Sequence, residues 1–294
     1  VKAHSHNIYS KLGVANRTQA IIQAQQAGLL QPDQTVLAGV TVTAPVDNIV
    51  QDRQITSSDF IPFIGRRTEL ARLSEMLSDD RVCLITILGT GGIGKTRLAI
   101  ALAQMHQHTF RDGSWFVALN PHRRVSDGLL ESLGLRLQTN IGVEKQVLSF
   151  LKDKQALVVL DNMEHLLQDC DANMAFMQAL LSVAPHLRIV VTSRQRLSLS
   201  TEIVYVLGGL DYVGAVGDDD PLQSEAVRLL YERARYAKPD FRLRSVDLPH
   251  IRRICHLTEG MPLALIMAMG WLEMLTLAEI AEQLSQNLDL LESS

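Results

Sequence analysis

The chain has 294 residues, 47% hydrophobic and 20% charged, with 28 Lys plus Arg against 32 Asp plus Glu for a net charge of −4. That length supports one large domain or two to three small ones, and the charge excludes a polycationic chain, so any nucleic-acid role must sit in a local patch. No apolar run approaches ~20 residues, which excludes a membrane-spanning helix.

Three scattered cysteines (Cys83, Cys170 and Cys255) show no CxxC or Cys/His spacing, and no HExxH occurs. This argues against a disulfide framework or a zinc site and for a reducing, cytoplasmic setting. Cys83 lies in an apolar run and is expected to be a buried small hydrophobe. The start, VKAHSHNIYS, is polar and begins with Val. No signal peptide is expected there, and the chain reads as a piece of a longer protein.

Residues 1–31 predict two short helices. Ile8 and Leu12 suit a first helix ending at Gly13, and Asn16 suits the N-cap of a second that runs to Gly28. Lys2, Lys11 and Arg17 make a small positive patch, with no acid before Asp33. A plain helical hairpin is the other reading of this composition. Residues 32–59 carry Pro32, Gly39 and Pro45 among Thr, Asp, Gln and Ser, and read as a linker with a short extended piece at TVLAGVTVT. A flexible segment of that length reaches roughly 30 Å.

From residue 60 the texture changes. A helix is expected after Arg67, with Glu69 in its first turn. Strands then alternate with helices. The strands are RVCLITILG, SWFVALN, QALVVLD, LRIVVTSR and TEIVYVL, and the helices are KTRLAIALAQMHQ, stretches near 126–134 and 142–152, and NMAFMQALLSVA. Near-continuous Val, Ile and Leu runs predict a parallel sheet flanked by helices, an α/β domain over 60–212. After about Asp220 only helical patterns follow, giving a small all-helical domain over 213–294.

Gly89-Thr90-Gly91-Gly92-Ile93-Gly94-Lys95-Thr96 matches the P-loop pattern in full, at the end of a predicted strand and the start of a helix. The glycines let successive N–H groups face phosphate oxygens, and the helix start adds its positive end. Lys95 suits β/γ-phosphates and the Thr96 hydroxyl suits Mg²⁺. Asp161, closing the strand QALVVLD, is the expected second metal-side carboxylate. The next residue is Asn162 where many hydrolytic relatives carry an acid. Glu164 could substitute, or it could simply be an acid at a helix start. Slow hydrolysis, or hydrolysis awaiting another domain, is expected. Thr192, Ser193 and Arg194 end a further strand and could touch a γ-phosphate, with Arg194 as its sensor.

The motifs FIGRRTEL, LGTGGIGKTRLA, VVLDNMEHL, VVTSRQRL and LTEGMPLAL, in that order over roughly residues 60–290, resemble the STAND class of signalling ATPases. Its NB-ARC and NACHT-like members include many bacterial transcriptional regulators. The resemblance implies a P-loop NTPase fold followed by a helical domain. It implies an ATP/ADP switch in which ADP holds a closed form and ATP permits self-association. Phe63 and Ile64 would lie near the adenine, the loop from Gly89 to Arg97 would hold the phosphates, Pro262 would close over the nucleotide and Arg194 would sense it. Proline is also simply favoured in a first helical turn.

VKxHxxNIYxKLGVxNRTQAIxxAxxxGLL resembles the tail of a LuxR-type helix-turn-helix domain. By that resemblance Val1, Lys2, Ser5 and Asn7 would face the DNA major groove, while Lys11 and Arg17 are better placed for phosphates. With its scaffold helices missing, this end would bind DNA only within the complete domain, and a sensor region would continue past Ser294. The combined expectation is the switch of a LuxR-type transcription regulator. The alternatives are an AAA-type motor, a STAND defence effector or a metabolic P-loop kinase.

Overall fold

Three of the apolar strand runs become the buried centre of one parallel sheet. The computed structural model describes residues 63–121, 123–138, 140–166, 170–212 and 221–292. Among these, β1 (Leu84–Leu88), β2 (Ser114–Ala118), β3 (Leu157–Asp161), β4 (Arg188–Ser193) and β5 (Glu202–Val206) lie in the order β2-β3-β4-β1-β5, all parallel. β3 and β4 are buried at every position and β1 at all but its last residue. As the edge strands, β2 mixes buried and exposed positions and β5 has no buried position, so the rule of burial on both faces holds only for the three inner strands.

Helices cover the sheet. α1 (Arg67–Ser78) buries Leu70, Leu73 and Leu77 at helical spacing, with Glu69 in its first turn. α2 (Lys95–Met105) sends Leu98, Ala99 and Leu102 into the same apolar cluster as Ile85, Ile87 and Val190. α3 (Val125–Ser132), α4 (Val143–Leu151) and α5 (Cys170–Val183) form a second cluster with Val158, Leu160 and Ile189. Each fully buried Leu or Ile contributes roughly 1.5–3 kcal/mol relative to exposure. Cys83, expected to be buried, is only half-buried, one residue before β1 begins. Cys255 is buried, and burial pushes its thiol up to about 12.

Beyond Pro221 the described elements are helical: α6 (Glu225–Ala237), α7 (Leu248–Leu257), α8 (Pro262–Gly270) and α9 (Leu277–Glu292). Ser224 caps α6, its hydroxyl accepting from the Val227 amide and donating to the Asp211 carbonyl. α8 breaks after Gly270 into a short 3₁₀ turn, Trp271–Glu273. The helices share their own core, which includes Val227, Leu230, Ile251, Ile254, Leu265 and Ile280. The expected boundary at 212/213 abuts residues 213–220, which lie outside the described residues, as do the predicted helices and linker of residues 1–59.

Two glycines fix how the helical layer meets the sheet. A Cβ on Gly209 would lie 2.0 Å from the Glu259 carbonyl oxygen, and one on Gly260, at φ +64, would lie 2.2 Å from that of Leu210. The two backbones therefore touch directly, joined by the Leu210 amide donating to the Gly260 carbonyl at 2.8 Å. This contact ties the exit of β5 to the turn that starts α8, and so sets where α8 begins.

Candidate phosphate site

The phosphate loop joins β1 to α2, with Gly94 at the N-cap of α2 at φ +97 and Gly92 at φ +79. Two left-handed glycines flanking Ile93 let successive amides turn to one side, the backbone geometry that can hold an anion. Gly92 is also a point of close approach: a Cβ there would lie 2.7 Å from Leu263 Cβ.

Lys95, the first residue of α2, is buried, and its ammonium donates to the loop carbonyls of Gly89 at 2.9 Å and Thr90 at 3.0 Å. Burial pulls this ammonium below its usual range. The Glu164 carboxylate opposes that pull, Arg194 adds to it and Asp161 opposes it. Lys95 thus sits among the three charged residues expected at the site.

The sheet order explains how. β4 lies between β1 and β3, so its upper end separates the loop from Asp161. Thr192 fills that gap. Its hydroxyl donates to Asp161 Oδ1 at 2.5 Å and accepts from the Asn162 amide at 3.0 Å. Thr96 Oγ1 donates to the same Asp161 oxygen at 2.7 Å. Thr96 and Asp161 are therefore adjacent, and they offer the hard oxygen ligands magnesium takes. Among the described residues there is no cluster of three His, Cys, Asp or Glu fit to hold a metal by protein ligands alone. A site completed by phosphate oxygens and water is the arrangement this donor set fits.

The triplet at the end of β4 divides. Thr192 and Ser193 are fully buried, and Ser193 Oγ accepts from the Gln195 amide. Both are committed within the protein, so only Arg194 faces outward from this strand end. It lies against the loop: a Cβ on Gly91 would sit 3.0 Å from its Nη2. Its Nε is 3.3 Å from Glu164 Oε1.

Asn162 has a structural reason for its identity. It adopts φ +62, a left-handed conformation that Asn tolerates better than most residues. The turn leads into the 3₁₀ segment Met163–Leu166, which carries Glu164.

The remaining expected residues spread around the loop. The Phe63 ring lies 6.0 Å from the Arg97 guanidinium, a cation–π contact on the outer face of α2. Ile64 instead packs against the helical core. Pro262 opens α8, with its Cγ 3.9 Å from where a Gly94 Cβ would lie. Its neighbour Leu263 makes the closer contact, donating its amide to the Gly92 carbonyl at 3.2 Å. Val1, Lys2, Ser5, Asn7, Lys11 and Arg17 lie outside the described residues.

Sequence reading missed Arg66. It is buried and sits at φ +63. Its guanidinium donates to the carbonyls of Ile93 (3.2 Å), Gly208 (2.7 Å) and Gly209 (3.1 Å) and to Glu69 (2.5 Å). Its own amide donates to Glu225 Oε1 at 2.7 Å, at the start of α6. One side chain thus holds the phosphate loop and the exit of β5 together. The signal lay in FIGRRTEL, where an arginine follows a glycine just before a helix, but three of its partners, Gly208, Gly209 and Glu225, lie more than 140 residues away in sequence.

Comparison with known proteins agrees with this geometry. The chain is 30% identical over 235 residues to an uncharacterized protein of Mycobacterium tuberculosis, covering 79% of this chain and 56% of that protein. It is 32% identical over 212 residues to a candidate HTH-type transcriptional regulator of the same organism, covering 71% of this chain and 22% of the regulator. The chain thus spans about half the length of the first relative and about a fifth of the second. A chain from the structure of Drosophila ORC bound to DNA shares the fold, at TM-score 0.51 and 16% identity over 76% of this chain and 66% of that one. A STAND protein of Pyrococcus horikoshii with a tetratricopeptide repeat sensor aligns at TM-score 0.45 and 16% identity, covering 76% of this chain and 32% of that one. The model of the family described as Novel STAND NTPase 1 matches residues 54–200, half of the chain, and it is to this family that the protein belongs.

Proposed function

We propose that the chain is the ATP/ADP-binding switch of a bacterial LuxR-type transcription regulator, in which nucleotide exchange and slow hydrolysis control self-association and DNA binding. The observation that carries this reading is the seating of α8 on the phosphate loop, with Leu263 bonded to Gly92 and Pro262 beside Gly94. A ligand that reshapes the loop must then act on the helical layer, which is what a switch needs.

In this reading the amides from Gly89 to Gly94 and the Lys95 ammonium bind the phosphates. Thr96 and Asp161 hold Mg²⁺, which when bound neutralises phosphate charge. Phe63 lies on the adenine side with Ile64 between it and the helical core, Arg97 closes the phosphate loop, Arg194 senses the terminal phosphate and Glu164 orients water. Val1, Lys2, Ser5 and Asn7 would read DNA bases, and Lys11 and Arg17 would bind phosphates, once the helix-turn-helix is complete. The relative named as a candidate HTH-type regulator supports the DNA-binding arm. A sensor region beyond Ser294 fits the greater length of the relatives. The seating of α8 disfavours a metabolic kinase, which would want an acceptor site at that position. Asn162 beside Asp161 disfavours a fast motor.

Light scattering of the purified chain tests the switch. With ADP and Mg²⁺ the mass should be that of the monomer, and with a non-hydrolysable ATP analogue it should rise at least twofold. One mass in both conditions would overturn the assembly part of the reading.

A further inference from the structure

Glu164 presents an unresolved cost. Its side chain is 12% exposed, and while Oε1 faces Arg194, Oε2 is buried without a hydrogen-bond partner among the described residues. A buried carboxylate oxygen left unpaired is expensive and calls for a reason. Arg194 is the opposite case. It is 63% exposed and lies across the loop at Gly91. No hydrogen bond fixes its guanidinium among the described residues beyond the charge contact with Glu164 at 3.3 Å.

We infer that Glu164 competes with the terminal phosphate of a nucleoside triphosphate for Arg194, and so sets the preference of the site for diphosphate over triphosphate. This rests on the phosphate loop being a nucleotide site. A diphosphate leaves the Glu164–Arg194 contact in place. A third phosphate needs the Arg194 charge for itself and brings its own negative charge toward the Glu164 carboxylate. The site thus resists triphosphate by one ion pair and one close repulsion, while diphosphate leaves the ion pair intact and holds its charge one phosphate farther back. The unpaired Oε2 is consistent with a group placed to act on the incoming ligand rather than to stabilise the fold.

The test is equilibrium titration of the chain with fluorescent ADP and with a fluorescent non-hydrolysable ATP analogue, at fixed Mg²⁺. The non-hydrolysable form separates binding from any role of Glu164 toward water. Glu164→Gln keeps the shape and removes the charge. It should tighten the triphosphate about tenfold more than the diphosphate, a difference of about 1.4 kcal/mol. Glu164→Asp, with a carboxylate drawn back by one methylene, should move the same ratio in the same direction by a smaller factor, and it serves if the Gln variant does not fold. In an Arg194→Ala background the gain from Glu164→Gln should shrink, since the competition needs both partners. Both nucleotides binding with a wild-type ratio in the Glu164 variants would overturn the inference while leaving the nucleotide site standing. A wild-type chain that binds neither nucleotide would overturn both.

Discussion

Replacing Lys95 with alanine should weaken ADP and ATP binding roughly ten- to a hundredfold, because a hydrogen bond to a charged group contributes about 1.5–3 kcal/mol. The Lys95 ammonium holds the Gly89 and Thr90 carbonyls from inside the loop, and phosphate oxygens would compete with those carbonyls for the same donor. Titration with labelled nucleotide measures the change, and a thermal melt beside it separates lost binding from lost fold. Unchanged affinity in a folded variant would remove the phosphate loop from the account.

Arg66→Ala should be the most destabilising single change near the site, at about 3 kcal/mol. The substitution leaves the Ile93, Gly208 and Gly209 carbonyls without their donor and Glu69 without its cation. Alanine also keeps the positive φ that arginine tolerates only because its side chain is held on four sides. At about 2–4 °C per kcal/mol for a chain of this size, the melting temperature should fall by roughly 10 °C. Arg66→Lys should recover only part of the loss, since a point charge cannot reach three carbonyls and a carboxylate with one ammonium. A melting temperature within a degree of wild type would show that Arg66 does not hold the loop to the β5 exit.

The sequence made some of this legible and hid the rest for identifiable reasons. The loop from Gly89 to Thr96, the strand ending at Asp161 and the strand ending at Arg194 were all readable, because each couples an apolar run to polar residues at its end. The parallel sheet followed from those runs, and β1, β3 and β4 are buried as expected. The strand order was not readable, and it is what makes Thr192 a bridge to Asp161 rather than a phosphate ligand. Local sequence cannot say which strand lies between two others. The hold of Arg66 on Gly208, Gly209 and Glu225 and the Gly209–Glu259 contact were hidden for the same reason, since those partners are remote in sequence. Pro262 was noticed because proline stands out. Leu263, which makes the closer contact with the loop, looked like any helical leucine. Asn162 was read as a missing acid, and its φ of +62 shows a second role, turning the chain so that Glu164 follows.

The most direct test of the central claim is to purify the chain, denature it and identify any released nucleotide by chromatography, with Lys95→Ala as the control. The account predicts close to one ADP per wild-type chain and none from the variant, the signature of a switch resting in its closed form. A wild-type chain that carries no nucleotide and then exchanges ATP freely would contradict the resting switch, and the motor and kinase readings would regain ground.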